Sequence, residues 1–149
     1  MRSLLCFALG TLVCASALAR NGTADEAKAM LDQAVAHYAQ VGRTQALADF
    51  NAKKAPFGVD DLYVFCIDHA GNTSANGGFP KYVGTHIDNL KDADGKPLGQ
   101  RLVDAAKSND DTPVDYTWLN PVTKLPTKKV SYVRKLSEDV CGVGAYRSP

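Results

Sequence analysis

Neither sign of charge dominates this chain. Its 149 residues carry 17 Lys and Arg against 16 Asp and Glu, a formal net charge of +1. That balance removes the electrostatic reason to expect nucleic acid or an anionic membrane surface as a partner. Histidine is scarce, with 3 residues, and cysteine is limited to 4. His37, His69 and His86 have no neighbour at metal-ligand spacing, so no metal site is expected. Asp92-Ala93-Asp94-Gly95 invites a calcium-loop reading, but with Gly95 in the sixth position the first would be Leu90 and the twelfth Arg101, neither an oxygen donor for calcium. There is no Gly-x-Ser-x-Gly elbow, and Asn76-Gly77-Gly78 lacks the Lys-Ser/Thr sequel of a phosphate loop. With no nucleophile–base pair and no metal cluster, neither an enzyme nor a cofactor is expected.

Long apolar runs are missing too, apart from one at the start. Arg2 precedes an apolar stretch from Leu4 to Val13, and Ala17-Leu18-Ala19 gives the small-x-small pattern that signal peptidase accepts. The run is short against the roughly 20 residues that span a bilayer, which favours a cleaved signal over a retained anchor. Val13 before Cys14 is too large for a lipoprotein cleavage site. The expectation is a signal peptide over 1–19 and one domain over 20–149, periplasmic or secreted, with no membrane insertion after cleavage.

Cys6 and Cys14 leave with the signal, so the exported part keeps Cys66 and Cys141. In an oxidising compartment a disulfide is the favoured reading, with two buried free thiols as the alternative.

Along the exported part, Asn21 to Val41 reads as a helix. Thr23 and Glu26 have capping-box spacing, Ala27, Met30, Leu31, Ala34, Val35, Tyr38 and Val41 form an apolar stripe, and Gly42 is placed to end it. A second short helix is expected from Thr44, as N-cap, to about Lys53, and a loop over Pro56 to Asp60. Leu62-Tyr63-Val64-Phe65-Cys66-Ile67 is an unbroken β-prone run, the mark of a strand buried on both faces. A short strand at Thr73 to Ala75 and a helix at Leu98 to Lys107 follow. Val114–Asn120, Lys129–Leu136 and Asp139–Tyr146 then read as a three-stranded meander. The simplest assembly is α+β, a long N-terminal helix packed on a five-stranded antiparallel sheet.

The most informative segment is Asp115-Tyr116-Thr117-Trp118-Leu119-Asn120-Pro121. Alternation places Tyr116, Trp118 and Asn120 on one strand face. Two aromatics with polar tips, side by side, can exclude water and still donate hydrogen bonds, as a small-ligand pocket requires. On the next strand Lys129, Ser131 and Val133 share one face, and Val130, Tyr132 and Arg134 the other. A Lys or Arg beside the Tyr/Trp face would make a carboxylate site. The competing reading is that Tyr116 and Trp118 are core aromatics and the cations are solvated.

The ordered set Leu62-Tyr63-Val64-Phe65-Cys66-Ile67-Asp68, Gly71, Ala75-Asn76-Gly77, Val83-Gly84, Asp94-Gly95-Lys96, Asp115-Tyr116-Thr117-Trp118-Leu119-Asn120-Pro121, Lys129-Val130-Ser131-Tyr132-Val133 and Gly142-Val143-Gly144-Ala145-Tyr146 resembles a single Cache domain of the second type. The resemblance spans roughly Ala24 to Tyr146. It implies a PAS-like antiparallel sheet and extracytoplasmic, non-catalytic sensing of small molecules, often short organic acids. It implies a pocket at Tyr116, Trp118 and Lys129, with Tyr63, His86 and Tyr132 as further candidates and Lys129 or Arg134 as counter-ion. Receptors of this kind carry a second membrane helix and a cytoplasmic module that this sequence does not contain, so a signal would pass through a partner such as a membrane sensor. The alternative is an interaction protein that docks onto such a sensor without a ligand.

Overall fold

The computed structural model describes residues 20–108 and 110–147, so the signal-peptide reading of residues 1–19 lies outside the described residues. The first helix, α1, runs over Ala24–Val41. Its start is fixed by the capping box: the Glu26 amide donates to Thr23 Oγ1 at 3.2 Å, and the Thr23 amide donates to the Glu26 carboxylate at 2.8 Å. Ala27, Met30, Leu31, Ala34 and Tyr38 are its buried stripe. Gly42, at φ 81°, ends α1 and leads straight into α2, Arg43–Asn51. The second helix thus starts one residue before the expected Thr44 cap. Arg43 enters it while its guanidinium is held by Asp139 at 2.8 Å.

Six strands follow in one antiparallel sheet: β1 Gly58–Val59, β2 Leu62–Asp68, β3 Thr73–Asn76, β4 Val114–Leu119, β5 Pro126–Lys135 and β6 Asp139–Tyr146. The order is β1-β2-β6-β5-β4, with β3 also on β2. Five of these are the expected strands. The sixth, β1, lies in the expected loop and pairs only Gly58 with Tyr63 and Val59 with Leu62. The strand β5 starts three residues before the expected Lys129 because Pro126 to Lys128 pair with Leu119 to Thr117. The third helix, α3, is Gly99–Ala105, shorter at both ends than its apolar spacing suggests.

Alternation divides the core into two clusters, one on each face of the sheet. Leu62, Val64 and Cys66 of β2 join Val130 and Tyr132 of β5 under α1 and α2. Tyr63, Phe65 and Ile67 join Tyr116, Trp118, Val133 and Tyr146 under α3 and the β3–α3 loop. Covered on both sides, β2 is buried from Leu62 to Ile67, as its unbroken apolar run requires. Cys66 and Cys141 stand directly opposite in the β2–β6 ladder and are joined by a disulfide.

Candidate functional site

The face away from α1 carries the site. Cross-strand register sets Tyr116 on β4 opposite Lys129 on β5, and Lys129 opposite Tyr146 on β6. One row therefore reads Tyr-Lys-Tyr across three strands. Gly144 of β6 lies beside it, and a Cβ there would collide with Ser131 Oγ and the Lys129 side chain, at 2.5 Å from Cε. A glycine at this position leaves the trough in which the lysine lies.

Lys129 is only 1% exposed. Its ammonium donates to Tyr63 Oη at 2.9 Å and to Tyr146 Oη at 3.4 Å. It stands 4.1 Å from the Tyr63 ring centre, 4.7 Å from that of Tyr146 and 6.0 Å from that of Phe65. Among the described residues no carboxylate comes within ion-pair distance. Burial pulls the Lys129 amine down to about 7, and the more distant Asp61 charge opposes this only in part. Asp61 is itself buried and accepts from the Gly22 amide at 2.7 Å and Asn120 Nδ2 at 3.0 Å.

The phenols around the amine stay neutral. Burial raises the Tyr63 hydroxyl well above its ordinary value, and raises Tyr116 and Tyr146 as well. Tyr146 donates its proton to the Leu119 carbonyl at 2.8 Å. Tyr116 Oη lies 2.7 Å from Ser131 Oγ. Tyr63 Oη accepts from Lys129 and, since Tyr146 gives its own proton to Leu119, donates to Tyr146 Oη at 3.4 Å.

Above this polar row is a small cavity of about 20 Å³. Its polar wall is Tyr63, Thr73, Asn76, Tyr116 and Trp118, and its apolar wall includes Phe65, Leu98 and Leu102. That volume is about one water molecule. The half-buried Phe79 and Tyr82 pack on two of its walls: Phe79 on Tyr63 and Trp118 at 5.9 and 6.3 Å, and Tyr82 on Trp118 at 5.2 Å. Asn76 Oδ1 anchors the loop by accepting from the Phe79 amide at 2.8 Å. Any larger occupant must displace the side chains that wall it.

Tyr63, Tyr116, Trp118 and Lys129 are thus brought together. Tyr132, Arg134 and His86 are not. Strand alternation turns Tyr132 to the helix face, where the Lys28 ammonium sits 4.7 Å over its ring. Arg134, on the same side, pairs with Asp111 at 2.5 Å and Asp32 at 3.6 Å. His86 faces the Ala70 carbonyl at 3.2 Å and the Asp88 carboxylate at 3.2 Å. It borders a separate open groove of about 330 Å³ between α3 and the β5–β6 turn. Of that groove's acids, Asp139 is bound by Arg43 and Asp68 by the Asn72 amide, and no buried unpaired charge faces it. The small cavity beside Trp118, with Lys129 behind its wall, is the better candidate.

Sequence reasoning missed Tyr146, Phe65, Thr73, Asn76 and the Phe79–Tyr82 pair. Period-two alternation sets Tyr63, Phe65 and Ile67 on one face and would have grouped them, but joining Tyr146 to Lys129 needs the β5–β6 register.

Among the described residues no group of three or more His, Cys, Asp or Glu is placed to hold a metal ion, and no helix is long and apolar enough to cross a membrane. A family model described as single Cache domain 2 matches residues 2–147. The chain belongs to this family. Three solved structures share the Cache fold with it. A methyl-accepting chemotaxis protein from Vibrio parahaemolyticus is 23% identical, with a TM-score of 0.69 over 82% of this chain and 86% of its own. A periplasmic sensor domain of a chemotaxis protein is 23% identical, with a TM-score of 0.62 over 83% and 90%. A Cache chemosensory domain described for its carboxylic acid recognition is 24% identical, with a TM-score of 0.62 over 83% and 88%. No curated protein sequence matches the chain. Cache sensor domains bind ligands without catalysis.

Proposed function

We propose that this Cache domain is an extracytoplasmic, non-catalytic sensor of a short organic acid, held in the cavity beside Trp118. One observation carries the reading: Lys129 is a buried cation with no carboxylate partner among the described residues, placed directly behind the polar wall of a cavity. Burying a charge without a counter-ion is costly, and an anionic ligand would remove that cost. The geometry favours an indirect role. Lys129 does not line the cavity; it bonds to the oxygen of Tyr63, which does, so its positive charge stands one hydroxyl away from a carboxylate held there. Trp118 and Tyr116 supply the flanking walls, and Phe65, Leu98 and Leu102 receive a short aliphatic tail. The carboxylic acid recognition described for one relative supports the same ligand class. Residues 1–19, read as a secretory signal, support the compartment, and a membrane sensor is the proposed recipient of the signal.

A thermal-shift screen of C2–C4 acids tests the reading. At least one acid should raise the unfolding temperature of the wild type and leave Lys129→Ala unmoved. An acid that binds both proteins equally would remove Lys129 from the site. The small volume of the cavity favours the second reading, a ligand-free interaction protein, and silence across the whole screen would support it.

A further inference from the structure

We infer that the protein takes up one proton together with its carboxylate ligand, at Lys129, so that occupancy reports acid concentration and acidity jointly. The inference rests on the carboxylate reading above and adds its regulation.

The argument starts from what surrounds the amine. β2 presents Tyr63 and the Phe65 ring, β4 presents Tyr116 across the ladder, and β6 presents Tyr146. Among the described residues the charged group that acts on Lys129 is Asp61, just before β2, and its carboxylate is already engaged by the Gly22 amide and Asn120. All three phenols are held above their ordinary range, so none ionises near neutral pH. The amine is therefore the group at this site that changes charge there. Aromatic faces attract its cationic form, but they do not replace the water it has lost.

In the free protein the charged amine is penalised by burial with only neutral oxygens as partners. A carboxylate in the adjoining cavity places a full negative charge beyond the Tyr63 hydroxyl, among buried side chains where charges act more strongly on each other than in water. The ammonium then becomes the favoured form. Above neutrality the free protein must collect a proton from solvent to bind. The balance is one carboxylate and one proton in, and both out on release.

Calorimetric titration of the purified protein with acetate, propionate and butyrate, in phosphate and Bis-Tris at pH 6 and in phosphate and Tris at pH 8, tests this. With the free amine titrating at about 7, affinity should fall about tenfold from pH 6 to pH 8. The buffer dependence of the heat should give uptake of about 0.1 proton per ligand at pH 6 and about 0.9 at pH 8. An exposed histidine would give the reverse trend, with little uptake at pH 8. Lys129→Arg, which stays charged, should bind equally at both pH values; the wild-type proton count stands alone if this variant does not fold. Binding with no proton uptake at pH 8 overturns the proposal and leaves the carboxylate reading intact. Failure of every acid to bind at either pH overturns that reading, and the proposal with it.

Discussion

On the helix side of the sheet, buried Asp139 receives hydrogen bonds from Tyr38 at 2.7 Å, Ser74 at 2.6 Å and Arg43 at 2.8 and 3.1 Å. On the opposite side, buried Lys129 has two phenol oxygens and, among the described residues, no carboxylate. Burial pushes the Asp139 carboxyl up, but the bonds from Arg43, Ser74 and Tyr38 outweigh it and hold the group below its usual value. Burial of Lys129 meets no such compensation. The helix side also holds the disulfide and the Ala, Leu and Val packing of α1. The other side holds the aromatic cavity and the loop packed on its walls. One face closes its charges on itself and secures the fold. The other leaves a charge open, which costs stability and creates a reason to bind an anion.

Breaking the helix side should cost the most. Replacing both Cys66 and Cys141 by Ala should lower stability by about 4 kcal/mol on the chain-entropy model, measured by urea denaturation, with acid affinity of the folded protein unchanged. Asp139→Ala, which strands Arg43 and two hydroxyls, should cost about 3 kcal/mol in the same assay and also spare affinity. The opposite face should respond with the opposite sign. Lys129→Met should stabilise the fold by about 2 kcal/mol and abolish acid binding. Loss of stability in that variant would mean the lysine is a structural element like Asp139.

The last effect is in pH dependence and is of the same order as that of Lys129→Met. Below pH 7 Lys129 is charged in both the folded and unfolded chain, and the full burial penalty applies. Between about 7 and the ordinary amine value of 10.5 the folded chain has released a proton that the unfolded chain keeps. This group therefore makes stability rise with pH through that window. The urea midpoint, compared at pH 7 and pH 9, should rise more in the wild type than in Lys129→Met.

Much of this architecture is legible in the residues because it depends on local rules. The Thr23–Glu26 cap and the β2 run identify α1 and the central strand, and alternation alone separates Lys129 from Tyr132 and Arg134. Cys66 and Cys141, left as a pair by the signal reading, are the disulfide. What stayed hidden depends on pairing between distant segments. The Tyr116–Lys129–Tyr146 row exists only through the β4–β5 and β5–β6 registers. Asp61, between the expected loop and the β2 run, gains a role only from its bonds to Gly22 and Asn120. The Phe79–Tyr82 pair has no periodicity to announce it, since two aromatics in a loop acquire meaning only from the Trp118 they pack on.

Trp118 is the chain's single tryptophan and lies in the wall of the cavity, packed against Phe79 and Tyr82. Titrating its fluorescence with acetate, propionate and butyrate at pH 6 reads the central claim directly. A saturable change with at least one acid, absent in Lys129→Met, is the result predicted. An emission spectrum unmoved by every acid, or moved equally in wild type and Lys129→Met, would contradict it.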